Sequence, residues 1–128
     1  MSGVLKLISS LSHSGSSVGQ SDSVVNSIRL CLDDVDYRVG RGEIVYENLD
    51  DSSAEHGSWL AEKEWENARC AAADPDVLAY IGTLDADAAP HSLKILNRAG
   101  PLVMISPCNT YPGQAKPVPW APEEPDVY

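Results

Sequence analysis

Basic charge is scarce in this chain: nine Lys and Arg stand against nineteen Asp and Glu over 128 residues, for a net charge of −10. The nine are scattered and build no basic stripe, which excludes a nucleic-acid surface, because neutralising phosphates takes clustered cations. The same balance disfavours docking on an anionic membrane. Long apolar runs are also missing. None approaches the roughly 20 residues of a spanning helix, so no segment is expected to insert into a bilayer. Cysteine is sparse and unpaired: Cys31, Cys70 and Cys108 have no CxxC spacing and no close partner. That pattern argues against a zinc site or a disulfide framework, and the three are expected as buried free thiols. Met1 to Lys6 shows no basic segment leading into an apolar stretch and a cleavage site, so no secretion signal is read in these residues.

What is present is enough for one domain with a real core, and too short for two. Val4 to Ile8 reads as a short strand, followed by a polar loop from Ser9 to Ser17. From Gln20 the apolar positions Val24, Ile28, Cys31 or Leu32, and Val35 recur every three or four residues, the period of one helix face, before Gly40-Arg41-Gly42. Glu43 to Leu49 reads as a second strand stopped by Asp50-Asp51-Ser52-Ser53. Ser58 is the expected N-cap of a second helix, with Glu62 and Glu64 near its positive dipole end and a buried stripe of Ala61, Trp65, Ala68 and Ala72. Asp74-Pro75-Asp76 leads into a third strand, Val77 to Ile81. A third helix follows, with Ala88, Ser92, Ile95 or Leu96, and Ala99 inward, before Gly100-Pro101. Leu102 to Ile105 is the fourth strand. Six prolines from Pro107 to Pro125 then exclude a central strand or a long helix.

The order βαβαβαβ implies a three-layer open sheet of parallel strands joined by right-handed crossovers, with helices on both faces and strand order 2-1-3-4. The division expected is a partial α/β lobe over residues 1–106 and an irregular Pro-rich tail over 107–128. Four strands followed by such a tail read as part of a larger fold. Exposed strand edges and helix faces are expected to make the chain associate or fold marginally.

Motifs for catalysis fall short. Gly15-Ser16-Ser17-Val18-Gly19-Gln20-Ser21 lies where a phosphate loop belongs, but three residues separate its glycines and Gln20 stands where a Lys is needed. There is no GxGxxG, and Ser106 lacks the GxSxG turn of a hydrolase nucleophile. Asp50-Asp51 and Asp85 with Asp87 fit turns and caps better than a metal site. Asp33, Asp34 and Asp36 read as the solvated end of the first helix. His13, His56 and His91 belong to no recognisable catalytic or ligand set, and His91 reads as a surface residue. No catalytic residue, metal or cofactor is therefore expected.

A binding edge is legible instead. Ligands of open α/β sheets bind beyond the carboxyl ends of strands. Three loops converge there: Ser9 to Gly19, Gly82 to Ala88, and Ser106 to Gly113. They offer the hydroxyls of Ser14, Thr83 and Thr110, the ring of Tyr111 as an apolar wall, and amides at the starts of the first and third helices, which attract anions. A small zwitterion or carboxylate fits that chemistry.

The strings Asp74-Pro75-Asp76-Val77-Leu78-Ala79-Tyr80-Ile81-Gly82-Thr83, Ile95-Leu96-Asn97-Arg98-Ala99-Gly100 and Met104-Ile105-Ser106-Pro107 resemble the branched-chain amino acid ABC transporter substrate-binding proteins. Ser9-Ser10-Leu11 with Gly15 and Gly19-Gln20, Leu49-Asp50-Asp51, and Asn109-Thr110-Tyr111-Pro112-Gly113 follow the same order and spacing. The resemblance runs from about Val4 to the tail. It implies the first lobe of a type I periplasmic binding fold, truncated, in a periplasmic or cell-surface receptor that closes on an amino acid and hands it to a membrane permease without catalysis. The positions it matches to ligand contacts are the loop around Ser14, the segment Thr83 to Ala86, and Cys108 with Thr110. Two departures stand out. Ala86 replaces a usual Ser, removing a hydroxyl donor, and Ser12 replaces a usual Pro. A second reading is a sensor or interaction module of this fold that no longer binds solute, and a third is a small flavodoxin-like enzyme.

Overall fold

A computed structural model describes residues 3–100, 102–126 and 128; the part of the N-terminal reading that rests on residues 1 and 2 lies outside them, as does Pro101. Among the described residues, seven strands and three α-helices run in the order β1 (Val4–Leu11), α1 (Val18–Asp33), β2 (Arg38–Val39), β3 (Gly42–Asp50), β4 (Ser52–Ser53), β5 (Ser58–Trp59), α2 (Ala61–Ala73), β6 (Val77–Ile81), α3 (Ala89–Arg98) and β7 (Val103–Ile105), with a short 3-10 turn at Pro112–Gln114. The main sheet has the order β2-β3-β1-β6-β7. Its four long-range members pair in parallel, and β2 adds an antiparallel edge to β3. Apart from that edge strand, the expected strand order and parallel sense hold. A second, two-stranded sheet of β4 and β5 was not expected from sequence.

The α2 and α3 side of the sheet holds the core. Ile8, Ala68, Ala71, Val77, Tyr80 and Leu96 are buried together, with Leu49, Ile95, Leu102 and Met104 packed around them. Each fully buried large side chain of this kind contributes roughly 1.5–3 kcal/mol. Helix α1 lies over the other face, where Val24 and Ile28 line a groove with Ile81 and Ile105. Tyr80 and Ile81 therefore serve opposite layers, as the alternation of a strand requires.

Several local readings are corrected. β1 does not end at Ile8; it continues through Ser9 and Ser10 to Leu11, all of them buried. Flanked on both sides by β3 and β6, those serines are enclosed yet bonded: the Ser9 hydroxyl meets Tyr46 Oη and Asn48 Oδ1, each at 2.7 Å. Helix α1 starts at Val18, not Gln20, and Val35 lies beyond it, 46% exposed. Ser58 is a strand residue, and Leu60 is the N-cap of α2. The inward face of α2 is Glu64, Ala68 and Ala71, which leaves Trp65 exposed. Cys31, Cys70 and Cys108 are all exposed, so the buried-thiol expectation fails: Leu32 and Ala71, one position on from Cys31 and Cys70, take the inward place.

Candidate functional site

The carboxyl ends of β1, β3, β6 and β7 form one edge, built around two polar clusters. In the first, Asp50 Oδ1 accepts hydrogen bonds from the backbone N–H of His13 (3.0 Å) and Ser52 (2.9 Å) and from the Ser52 hydroxyl (2.7 Å). Asp50 Oδ2 takes the Lys63 ammonium at 2.7 Å, and that ammonium also reaches the Ser52 carbonyl. The chain continues from the Ser52 hydroxyl to the N–H and hydroxyl of Ser14 at 3.0 and 2.9 Å. Burial works against ionising Asp50, but the Lys63 and Ser52 bonds and the two amides more than offset it and hold the carboxyl well below its usual range. Asp51 is its converse: burial raises its pKa against the Ser12 hydroxyl, which donates at 2.7 Å. The loop is also locked sterically. Gly15 has φ +85° and sits so close to the Gly57 carbonyl that an added Cβ would lie 2.0 Å from that oxygen.

The second cluster joins the β6–α3 loop to the segment after β7. Gly82 abuts the end of β1, where an added Cβ would lie 2.7 Å from the Ser10 carbonyl, and the Gly82–Thr83 peptide is cis. Thr83 is fully buried; its hydroxyl donates to the Asp85 carbonyl and receives the Asn109 amide at 3.4 Å. The Ser106 hydroxyl donates to the Thr83 carbonyl at 3.2 Å, Cys108 Sγ to the Leu84 carbonyl at 2.9 Å, and Gln114 Nε2 to the Ala86 carbonyl at 2.9 Å. Burial, then the nearby Asp85 charge, raises the Cys108 thiol, which keeps it in its neutral, donating form. Helix α1 has no side-chain cap, which leaves first-turn amides at its start for an anion, whereas at the start of α3 Pro90 has no N–H, the His91 N–H is bonded to the Ala88 carbonyl, and the Asp87 and Ala88 amides are bonded to Asp85.

Among the predicted contacts, the structure brings Thr83, Ala86 and Cys108 into one connected cluster and places Ser14 in the other. Thr110 is exposed on the loop, and Tyr111 is half-buried with its hydroxyl bonded to Glu124 Oε2 at 2.5 Å. Asn109, not singled out from sequence, links the β7 loop to Thr83. His91 is not a plain surface residue; its ring lies 5.6 Å from Trp59 and 5.8 Å from Trp65. Among the described residues no group of three or more His, Cys, Asp or Glu could hold a metal ion, and no helix is long and apolar enough to cross a membrane.

Sequence reasoning missed the polar group beneath both clusters. Glu64 is fully buried on the inward face of α2. It accepts the Ser10 hydroxyl at 2.5 Å and the Tyr80 hydroxyl at 2.7 Å, and Asn67 donates to Ser10 at 2.8 Å. Burial pushes its pKa up to about 7 against the Ser10, Tyr80 and Ser92 hydroxyls. Burial, followed by the Glu64 charge, likewise raises the Tyr80 phenol. The group ties β1, β6 and α2 together just below the ends that carry the loops.

No protein-family profile matches the chain, and no curated protein matches its sequence. Solved structures do match. A branched-chain amino acid ABC transporter protein from Rhodospirillum rubrum aligns over 85% of this chain and 30% of its own, with TM-score 0.72 and 21% identity. The leucine-binding protein LivK from Thermotoga maritima aligns over 87% of this chain and 30% of its own, with TM-score 0.65 and 25% identity. LivJ from Streptococcus pneumoniae, a branched-chain amino acid transporter substrate-binding protein in complex with isoleucine, gives TM-score 0.70 at 18% identity over 84% of this chain. The chain thus spans just under a third of the length of these proteins. Its parallel sheet, helices and strand order are those of a lobe of the periplasmic binding protein fold found in branched-chain amino acid ABC transporter substrate-binding proteins.

Proposed function

We propose that the chain belongs to an extracytoplasmic solute-binding protein that takes an amino acid, or a small polar solute like it, and delivers it to an ABC permease. The observation that carries this reading is the lobe's superposition on amino-acid receptors, one of them holding isoleucine, with the uncapped start of α1 and hydroxyl-bearing loops gathered at the carboxyl edge. The ligand's carboxylate meets first-turn amides and the Ser14 hydroxyl; its ammonium meets carbonyls and hydroxyls near Cys108 and Thr110; Tyr111 supplies the apolar wall.

One observation favours the alternative, a lobe that no longer takes solute. Thr83 is closed off from solvent, Ala86 offers no hydroxyl, and the carbonyls of Thr83, Leu84 and Ala86 are already engaged by Ser106, Cys108 and Gln114. Thermal unfolding against leucine, isoleucine, valine, glutamate and primary amides separates the two. A ligand at about 100 times its Kd stabilises by about 2.7 kcal/mol, a rise in Tm on the order of 10 °C for a domain of this size. Such a rise with any one solute supports the receptor; an unchanged Tm with every solute at millimolar concentration supports the silent lobe.

A further inference from the structure

The buried layer between β1, β6 and α2 changes character along its height. Toward the amino end it is apolar: Ile8 of β1, Val77 of β6, and Ala68 and Ala71 of α2 pack together. Toward the carboxyl edge the positions of β1 on the same face as Ile8 are Ser10 and Ser12, and the groups that accept their hydroxyls are the carboxyls of Glu64 and Asp51. Each of these two acidic residues is at most 1% exposed. The upper half of the layer is therefore held by hydroxyl-to-carboxyl bonds where the lower half is held by apolar contact.

The donors on Glu64 are all neutral. The Asn67 side-chain amide donates to Ser10 Oγ at 2.8 Å and to the Asp50 carbonyl at 3.2 Å, which leaves the Ser10 proton for Glu64 Oε2. Tyr80 of β6 donates to Oε1, and Ser92 of α3 adds a third hydroxyl. The charged groups of the surrounding elements do not compensate this carboxyl. Lys63, the preceding residue of α2, is engaged by Asp50 and the Ser52 carbonyl, and Asp51 repels a charge on Glu64. Lys6 of β1 is paired with Asp74 and Glu47, and Lys94 of α3 lies over the Tyr128 ring. An ionised carboxyl so placed has hydrogen bonds but no counter-charge, and water solvates it better. We propose that Glu64 is a proton-dependent latch on the carboxyl edge: when it ionises, the ends of β1 and β3 and the start of α2 separate as one unit and admit water, while the apolar half of the layer stays closed. The loop released is the one that carries Ser14 and leads into α1. Such opening requires no solute and is tested on the chain alone.

Amide hydrogen exchange read residue by residue from about pH 5 to about pH 7, with the intrinsic pH dependence of exchange divided out and in urea well below the unfolding transition, tests the latch. The edge reporters are the Asp51 N–H, bonded to the Leu11 carbonyl at 3.3 Å, and the Leu60 N–H, bonded to the Asp51 carbonyl at 2.7 Å. The Lys6 N–H, bonded to the Asp76 carbonyl at 2.8 Å, reports the apolar end. Opening lets the Glu64 carboxyl titrate near 4.5 instead of about 7, so exchange at the two edge amides is expected to rise roughly 30-fold over this range. A local opening exposes little surface, so the edge rates stay nearly flat in urea while the Lys6 rate climbs with it. Glu64→Gln removes most of the rise, Asp51 accounting for what is left, and Tyr80→Phe, which takes a donor from the carboxylate, moves the rise to higher pH. Edge rates independent of pH overturn the proposal, as does a rise undiminished in Glu64→Gln. So does a rise with the urea dependence of Lys6, which means that Glu64 meets water only on global unfolding; this outcome is read on the parent chain and stands even where a variant fails to fold.

Discussion

Glu64→Gln is the substitution with the sharpest expected signature. Glu64 holds its proton in the folded chain up to about pH 7, whereas the unfolded chain releases it near the ordinary glutamate value of 4.5. Between these pH values the native state binds more protons than the unfolded state, so the contribution of this group to stability falls as pH rises. It is fully present below about 4.5, lost progressively through about 7, and flat above. A gap of about 2.5 pH units corresponds to roughly 3 kcal/mol, since each unit is worth 1.36 kcal/mol. Glutamine keeps the shape and offers an acceptor to Tyr80 and a donor to Ser10, but it does not titrate. Urea unfolding followed by tryptophan fluorescence, from about pH 5 to pH 8.5, reads the difference. Relative to the parent chain the variant is expected to gain on the order of 2–3 kcal/mol across that range, all of it below about pH 7.5. Every other titrating group is common to both proteins and cancels. Parallel curves, agreeing in slope within about 0.5 kcal/mol, refute the reasoning and mean that Glu64 is ionised and solvated in the native fold.

Gly15→Ala is expected to cost on the order of 1–3 kcal/mol, because alanine is strained at φ +85° and its Cβ overlaps the Gly57 carbonyl; unchanged stability by urea unfolding contradicts the close loop contact. Asp50→Asn removes the charge that holds Lys63 and the His13 and Ser52 amides together, and should cost roughly 1–3 kcal/mol at neutral pH. Because the Asp50 carboxyl is depressed in the fold, its contribution is present above the unfolded value of 3.8 and fades as pH falls below it, so the variant and parent converge in acid. A difference that grows in acid refutes that sign.

The alternation of apolar runs and helical periods made the parallel sheet and its order legible, because both follow from the local chain: Val77 to Ile81 and Leu102 to Ile105 are apolar runs too short for helices. The edge at which the loops gather was legible for the same reason, since loops after parallel strands share one side. Phase was not. Helix α2 turned out to bury Glu64, Ala68 and Ala71, while the stripe read from sequence was Ala61, Trp65, Ala68 and Ala72. A carboxylate in an apolar-to-polar stripe reads as solvated, and only the hydroxyls of Ser10 and Tyr80, distant in sequence, make its burial tolerable. The same blindness hid β1 beyond Ile8. Ser9, Ser10 and Ser12 look like loop, yet partners on β3, α2 and the β3–β4 turn enclose and satisfy them.

Sequence by itself therefore determined the class of the sheet, the order of its strands and the side on which its loops gather, since these depend on residue type, period and charge. Tertiary structure decided which polar groups are buried, and that the Ser14 loop is held by Asp50 and Lys63 and the Thr83 loop by Ser106, Cys108, Asn109 and Gln114. Those outcomes rest on desolvation and on hydrogen bonds between residues far apart in the chain, and neither is written in any local pattern.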